Sequence, residues 1–144
     1  MIVRKLERLK IAGLTHLNIS LDSLVPAKNE FITRRPDTSK HVLKAIDKAL
    51  EIDLPSVKLN VVAMRNFNDD EILDFIELTK ERPIDVRFIE FMPFDQNDWK
   101  DKKFISMAEM HEVVKRQYAD TVTSIEDEPA SSTSRGYRIK GYAG

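Results

Sequence analysis

A lysine in the middle of an apolar run is the first residue of chemical interest. Lys58 stands in VKLNVVAM, where an ammonium group is costly unless something pairs with it. The structural reading is an inward ion pair with Glu90, or an alkyl stem that carries the charge out to solvent. The functional readings are a clamp on a phosphate or other anion, or an amine nucleophile working through a Schiff base. LNISLD adds Asn18, Ser20 and Asp22, alternating with Leu17, Ile19 and Leu21. Ser20 reads equally as a satisfied core hydroxyl and as a ligand contact. DVRFIEFM contributes Glu90, a buried structural partner or a base, and Met92, which is ordinary packing at a strand end.

Other side chains offer less. His16, His41 and His111 show no ligand spacing, so a histidine metal centre is not expected. Arg34 and Arg35 form either a phosphate-binding pair or, more simply, a solvated one. Glu126, Asp127 and Glu128 read as a solvated loop. Tyr137 and Tyr142, beside Arg138 and Lys140, hint at stacking on a nucleobase, a signal of little weight alone.

The elements that must position these groups alternate regularly. Ile2, Val3, Leu6 and Leu9 predict an N-terminal helix over 2–12 with Gly13 as its stop. A strand follows in LTHLNISLD, then a polar loop, VPAKNEFITRRPDTS. Val42, Ala45, Ile46, Ala49 and Leu50 mark a second helix, and 57–64 a β-branched strand. Asn68 and Glu71 have capping-box spacing before a helix with Ile72, Phe75, Ile76 and Thr79 on one stripe and Pro83 at its exit. The third strand is DVRFIEFM. Strands about 30 to 40 residues apart, separated by helices, suit right-handed crossovers in a parallel sheet. No glycine-rich turn follows any of them, which disfavours a dinucleotide fold or a P-loop and favours a barrel. In a barrel the polar alternates point inward, so Ser20, Lys58, Glu90 and Met92 are expected to share the lumen. Beyond Pro93, Trp99 and Phe104 are expected anchors in a polar loop. Ser106 and Glu109 form a second capping box, opening a helix through Tyr118 on Met107, Met110, Val113 and Val114. A low-hydrophobicity stretch near 124–134 is expected to be mobile, and RGYRIKGY suits a short strand or hairpin arm.

The chain has 144 residues, one domain's worth, with 24 acidic and 23 basic side chains. A net charge of −1 gives no electrostatic reason to expect nucleic acid or an anionic membrane as partner. No apolar run reaches the roughly 18 residues of a bilayer span, and MIVRKLERLK has no targeting-segment core. Zero cysteines exclude, within these residues, a disulfide scaffold, a thiolate zinc site and a cysteine-bound iron–sulfur cluster.

LNISLD, VKLNVVAMRNFNDDE and DVRFIEFMPF, in this order and followed by Asn97-Asp98-Trp99-Lys100, resemble the molybdenum cofactor biosynthesis protein A family. These are radical S-adenosylmethionine (SAM) enzymes, the GTP 3′,8-cyclases. The loop LVPAKNEFITRRP is similar to that of eukaryotic members. The resemblance implies an α/β fold, a partial radical-SAM (β/α) TIM-type barrel with parallel strands. Three βα units over 1–93 would precede the start of a C-terminal extension over 94–144. It implies SAM and 4Fe–4S clusters as cofactors, GTP as substrate and a homodimer. The location implied is the mitochondrial matrix for a eukaryotic member and the cytoplasm for a bacterial one. It matches Ser20 and Met92 to SAM-contacting positions, the latter through its backbone, and Lys58 to a GTP-contacting lysine. The family's two cysteine clusters fall before Met1 and after Gly144, so the chain is expected to be a central fragment, inactive alone. Two other readings remain open: a lysine-dependent, aldolase-like barrel enzyme with Glu90 as proton shuttle, and a non-catalytic interaction fragment that completes its sheet with another chain.

Overall fold

The computed structural model describes residues 2–92, 101–125 and 135–144. The expected loop anchor Trp99, the acidic run 126–128, the Asn97–Lys100 motif and most of the 124–134 stretch lie outside the described residues.

The N-terminal segment forms a 3-10 turn, Ile2–Lys5, running into α1, Leu6–Ile11. Only Leu6 of this segment is buried, and the predicted continuous helix is divided into these two short pieces. Gly13 supplies the stop at φ +101°, where the Leu14 amide can donate to the Leu9 carbonyl. β1 spans His16–Ser20, β2 Ser56–Ala63 and β3 Asp85–Glu90. They form one sheet in the order β1-β2-β3, with both pairings parallel as the crossover spacing predicts. This is the wall of a partial (β/α) barrel.

Two helices lie between β1 and β2. α3, Thr38–Glu51, follows the predicted stripe, with Val42, Ala45, Ile46 and Ala49 buried. α2, Pro26–Thr33, occupies a segment whose polar sequence predicts a loop. Its only buried residue is Asn29, so it carries no apolar stripe to betray it; Pro26 at the first turn was the available signal. α4, Ile72–Glu77, follows β2 after a 3-10 turn. Ile72, Phe75, Ile76 and Thr79 are all buried, as the stripe predicts.

α1, α3 and α4 cover one face of the sheet. Their contacts with Leu17, Val57, Leu59 and Val61 make the main core, with Val86 and Phe88 of β3 packed against it. Phe75, fully buried, meets Phe88 edge-on at 6.3 Å between ring centroids. The opposite face of the sheet carries the polar and more exposed alternates.

The predicted second capping box is present. Ser106 accepts from the Glu109 amide while the Glu109 carboxylate accepts from the Ser106 amide, opening α5, Met107–Tyr118. β4, Val122–Ser124, pairs antiparallel with β5, Tyr137–Ile139, which is the predicted hairpin arm. Met110, Val114, Tyr118, Ile139 and Tyr142 pack over Ile72 and Ile76, so the C-terminal segment lies against α4 on the helical side. The tail ends close to the α4 exit. Gly144 donates its amide to the Thr79 carbonyl and leaves no room for a β-carbon beside the Ile84 carbonyl.

Candidate functional site

The alternation of a parallel sheet sorts the candidate residues by face. On β2 the buried residues are Val57, Leu59, Val61 and Ala63, so Lys58, Asn60 and Val62 take the open side. The register then fixes their neighbours. Asn18 of β1 and Asp85 of β3 lie opposite Lys58; Ser20 and Arg87 lie opposite Asn60; Ile89 lies opposite Val62. The open face therefore brings together Asn18 and Ser20, Lys58 and Asn60, and Asp85 and Arg87. Lys58 is only partly exposed, its side chain at 24%, and its ammonium stands 3.5 Å from the more exposed Asp85 carboxylate.

Two sequence expectations are corrected here. Glu90 does not face Lys58. It lies opposite Ala63 on the helix-covered side, where its carboxylate accepts from the Met107 amide at 2.7 Å at the start of α5. Val86 and Phe88 pack into the core on that same side and set the parity of the strand. This separates Glu90 from Lys58 and removes the proton shuttle from the aldolase-like reading. Arg87, out of phase with Glu90, joins the open face opposite Asn60. The signal that finds it is Phe88, whose pairing with Val61 forces Arg87 outward from the core.

The second correction concerns Asn68 and Glu71. Neither caps the helix that follows; no side-chain cap bond forms there. Both are 2% exposed and reach across to the loop after β1 instead. The Asn68 amide nitrogen donates to the carbonyls of Asp22, at 2.6 Å, and Val62, at 2.9 Å. Its oxygen accepts from the Met64 amide. The Glu71 carboxylate accepts from the Ser23 hydroxyl at 2.8 and 2.9 Å, and from the Leu24 amide at 2.7 Å. A longer bond from the Val25 amide, and an ion pair at 3.0 Å with Lys28, complete its shell. Lys28 also binds Asp70, which holds the Lys28 pKa above and the Asp70 pKa below their ordinary values.

Asp22 has moved out of the strand pattern that grouped it with Asn18 and Ser20. Its carboxylate accepts from the Val62 amide at 2.9 Å, extending the β1–β2 junction beyond Ser20. Burial pushes its pKa up, and that hydrogen bond opposes the shift in part.

The other candidates separate. Met92 lies beyond the end of β3 and is 53% exposed, near the same strand ends but outside the paired register. Arg34 turns its guanidinium over the Phe31 ring at 5.3 Å. Tyr137 stacks on His111 at 4.4 Å, and Tyr142 donates its hydroxyl to Glu77, so both tyrosines of the tail are engaged within the chain. Among the described residues, no group of three or more His, Cys, Asp or Glu side chains could hold a metal ion. With no cysteine in the sequence, the residues present do not fit an iron–sulfur cluster.

The chain is similar in sequence to known proteins. Residues 1–79 match the Radical SAM superfamily. The chain is 51% identical over 144 residues to the GTP 3′,8-cyclase, mitochondrial, of Arabidopsis thaliana, covering 99% of this chain and 36% of that protein. It is 48% identical over 143 residues to the molybdenum cofactor biosynthesis protein 1 of Homo sapiens, covering 99% of this chain and 22% of that protein. It is 45% identical over 139 residues to the GTP 3′,8-cyclase of Syntrophomonas wolfei, covering 96% of this chain and 42% of that protein. The chain thus spans well under half the length of these relatives. With a three-stranded parallel wall, helices on one side and more than half its residues matched, this chain belongs to the radical SAM superfamily.

Proposed function

We propose that this chain supplies one wall of the chamber of a GTP 3′,8-cyclase, a radical SAM lyase of molybdenum cofactor biosynthesis. In that reaction GTP becomes (8S)-3′,8-cyclo-7,8-dihydroguanosine 5′-triphosphate. Residues 1–93 are read as barrel wall and 94–144 as the start of the C-terminal extension. The observation that carries the reading is the pair of cations on the open face, Lys58 and Arg87, two residues apart in register. A phosphate chain presents several anionic oxygens, and two cations spaced along one face of the sheet meet that demand. Similarity to proteins named as GTP 3′,8-cyclases supports the choice of nucleotide.

On this reading Lys58 and Arg87 bind GTP through its phosphates. Ser20, near the C-terminal end of β1, and the backbone at Met92, beyond β3, border the SAM position. SAM supplies the radical chemistry in this superfamily, and the cluster that cleaves it needs thiolate ligands from outside these 144 residues. The chain alone is therefore read as a binding wall without turnover. The functional protein is read as a homodimer with neither nucleic acid nor membrane as partner. Its place would be mitochondrial, in line with the name of the Arabidopsis protein, or cytoplasmic in a bacterium.

GTP titration of the chain and of Lys58→Ala tests the assignment. Loss of one charged hydrogen bond, worth about 1.5–3 kcal/mol, weakens GTP roughly 10- to 150-fold. Equal affinities would remove Lys58 from the site.

A further inference from the structure

Beyond the strand residues themselves, we infer that Glu71 is a positioning residue for SAM: its buried carboxylate fixes the chain segment that ends β1, and through it the placement of Ser20. This rests on the reading above that Ser20 borders SAM.

The geometry gives Glu71 an unusual task. Its carboxylate takes two amide donors from consecutive residues, Leu24 and Val25, together with the Ser23 hydroxyl. Ser23 is itself fully buried. Converging backbone amides of this kind form a small anion-binding nest, filled here by a side chain from 46 to 48 residues downstream. The nest begins three residues after Ser20. The intervening backbone has few free torsions, because the Leu21 amide donates to the Asn60 carbonyl and Asp22 is held by Val62 and Asn68. Displacing the nest therefore displaces the end of β1.

Lys58 stands differently. It is flanked by Asn18 and Asp85 in the body of the sheet, between Val57 and Leu59 of the core. Among the described residues, no hydrogen bond or ion pair joins the Lys58 side chain to the nest; its ion pair is with Asp85. A perturbation at Glu71 should consequently separate the two ligands. A general loss of stability cannot, because it would weaken both alike.

The test measures equilibrium dialysis of labelled SAM and, separately, of GTP. The proteins are the 144-residue chain, Glu71→Gln, Ser23→Ala and Ser20→Ala, each checked for folding by circular dichroism. Glu71→Gln keeps the side chain's size but turns an amide group toward donors. A displacement of about an ångström at a binding contact can cost on the order of tenfold or more. The expected result is a roughly tenfold weaker SAM affinity with GTP affinity changed less than twofold. Ser23→Ala, which removes one donor and keeps the carboxylate, serves if Glu71→Gln fails to fold, and shifts SAM in the same direction by less. Parallel losses for both ligands, or no SAM loss in either variant, would overturn the positioning role. Ser20→Ala distinguishes the two levels: unchanged SAM affinity in that variant sinks the Ser20 assignment itself. A loss there, with none in Glu71→Gln or Ser23→Ala, sinks only the role of Glu71.

Discussion

Replacing Asp85 by Asn should tighten nucleotide binding. Asp85 is the anionic member of the open face, 3.5 Å from the Lys58 ammonium, and its side chain is 60% exposed. A phosphate oxygen held about 3 Å from that ammonium lies at most about 6.5 Å from the carboxylate when the three are in line. At an effective dielectric constant of about 40 to 80, suited to an exposed group, the repulsion is roughly 0.6 to 1.3 kcal/mol per unit of phosphate charge. The existing ion pair gives little in return, since exposed pairs of this kind contribute about 0–1 kcal/mol. Asp85→Asn is nearly isosteric and removes the repulsion, so GTP should bind roughly three- to ninefold more tightly at low salt. Isothermal titration at several ionic strengths is the assay. The gain should shrink as salt shortens the screening length toward the separation of the groups. Weaker binding, or unchanged affinity at low salt with the fold intact, would refute the placement of the phosphates at Lys58.

Three other outcomes follow from the described contacts. Phe75→Ala empties the junction between α4 and Phe88, and should cost about 3–5 kcal/mol in a urea titration, because the residue is fully buried. The Ser106 amide, followed by the Arg65 guanidinium and the Ser106 hydroxyl, pulls the Glu109 pKa from 4.5 down to about 2. The folded state thus holds this carboxylate ionised where the unfolded state binds a proton. Its stabilisation is present above pH 4.5 and lost as pH falls toward 2. Thermal melting should accordingly separate wild type from Glu109→Gln at neutral pH and bring them together in acid. A gap that stays constant across that range would contradict the link. Tyr142→Phe leaves the Glu77 carboxylate with the Tyr118 hydroxyl and Lys80. Because the Tyr142 hydrogen bond is the leading cause of the lowered Glu77 pKa, a carboxyl NMR titration should show that pKa moving upward.

The first two strands were legible because their apolar alternates are unbroken: Leu17, Ile19 and Leu21, then Val57, Leu59 and Val61. Those rows give the buried face, and Ser20 and Lys58 follow on the other. β3 misled because it offers apolar residues in both phases, with Val86 and Phe88 in one and Ile89 in the other. Only packing against Phe75 and the core decides between them, and that contact is made across the chain. The polar helix α2 was missed for want of an apolar stripe. Asn68 and Glu71 have the residue types of a local cap, yet their partners are mostly distant in sequence. Spacing cannot express such a partnership, since the same side chains satisfy amides four or forty residues away.

The Glu71 nest also orders the growth of the fold. The amides of Leu24 and Val25 leave the ribosome long before the carboxylate that accepts from them, 47 and 46 residues later in the chain. Until that residue emerges, the Leu24 amide lacks its carboxylate acceptor and the Val25 amide has only the Ser23 hydroxyl, so the nest is open to solvent or to stray anions. β1, whose strand partner is β2, and the turn that Glu71 closes are therefore completed late, even though their residues are made first. The smallest cooperative piece of this wall extends from β1 to the beginning of α4, and a nascent chain arrested before residue 71 should expose the peptide bonds around Ser23 to proteolysis.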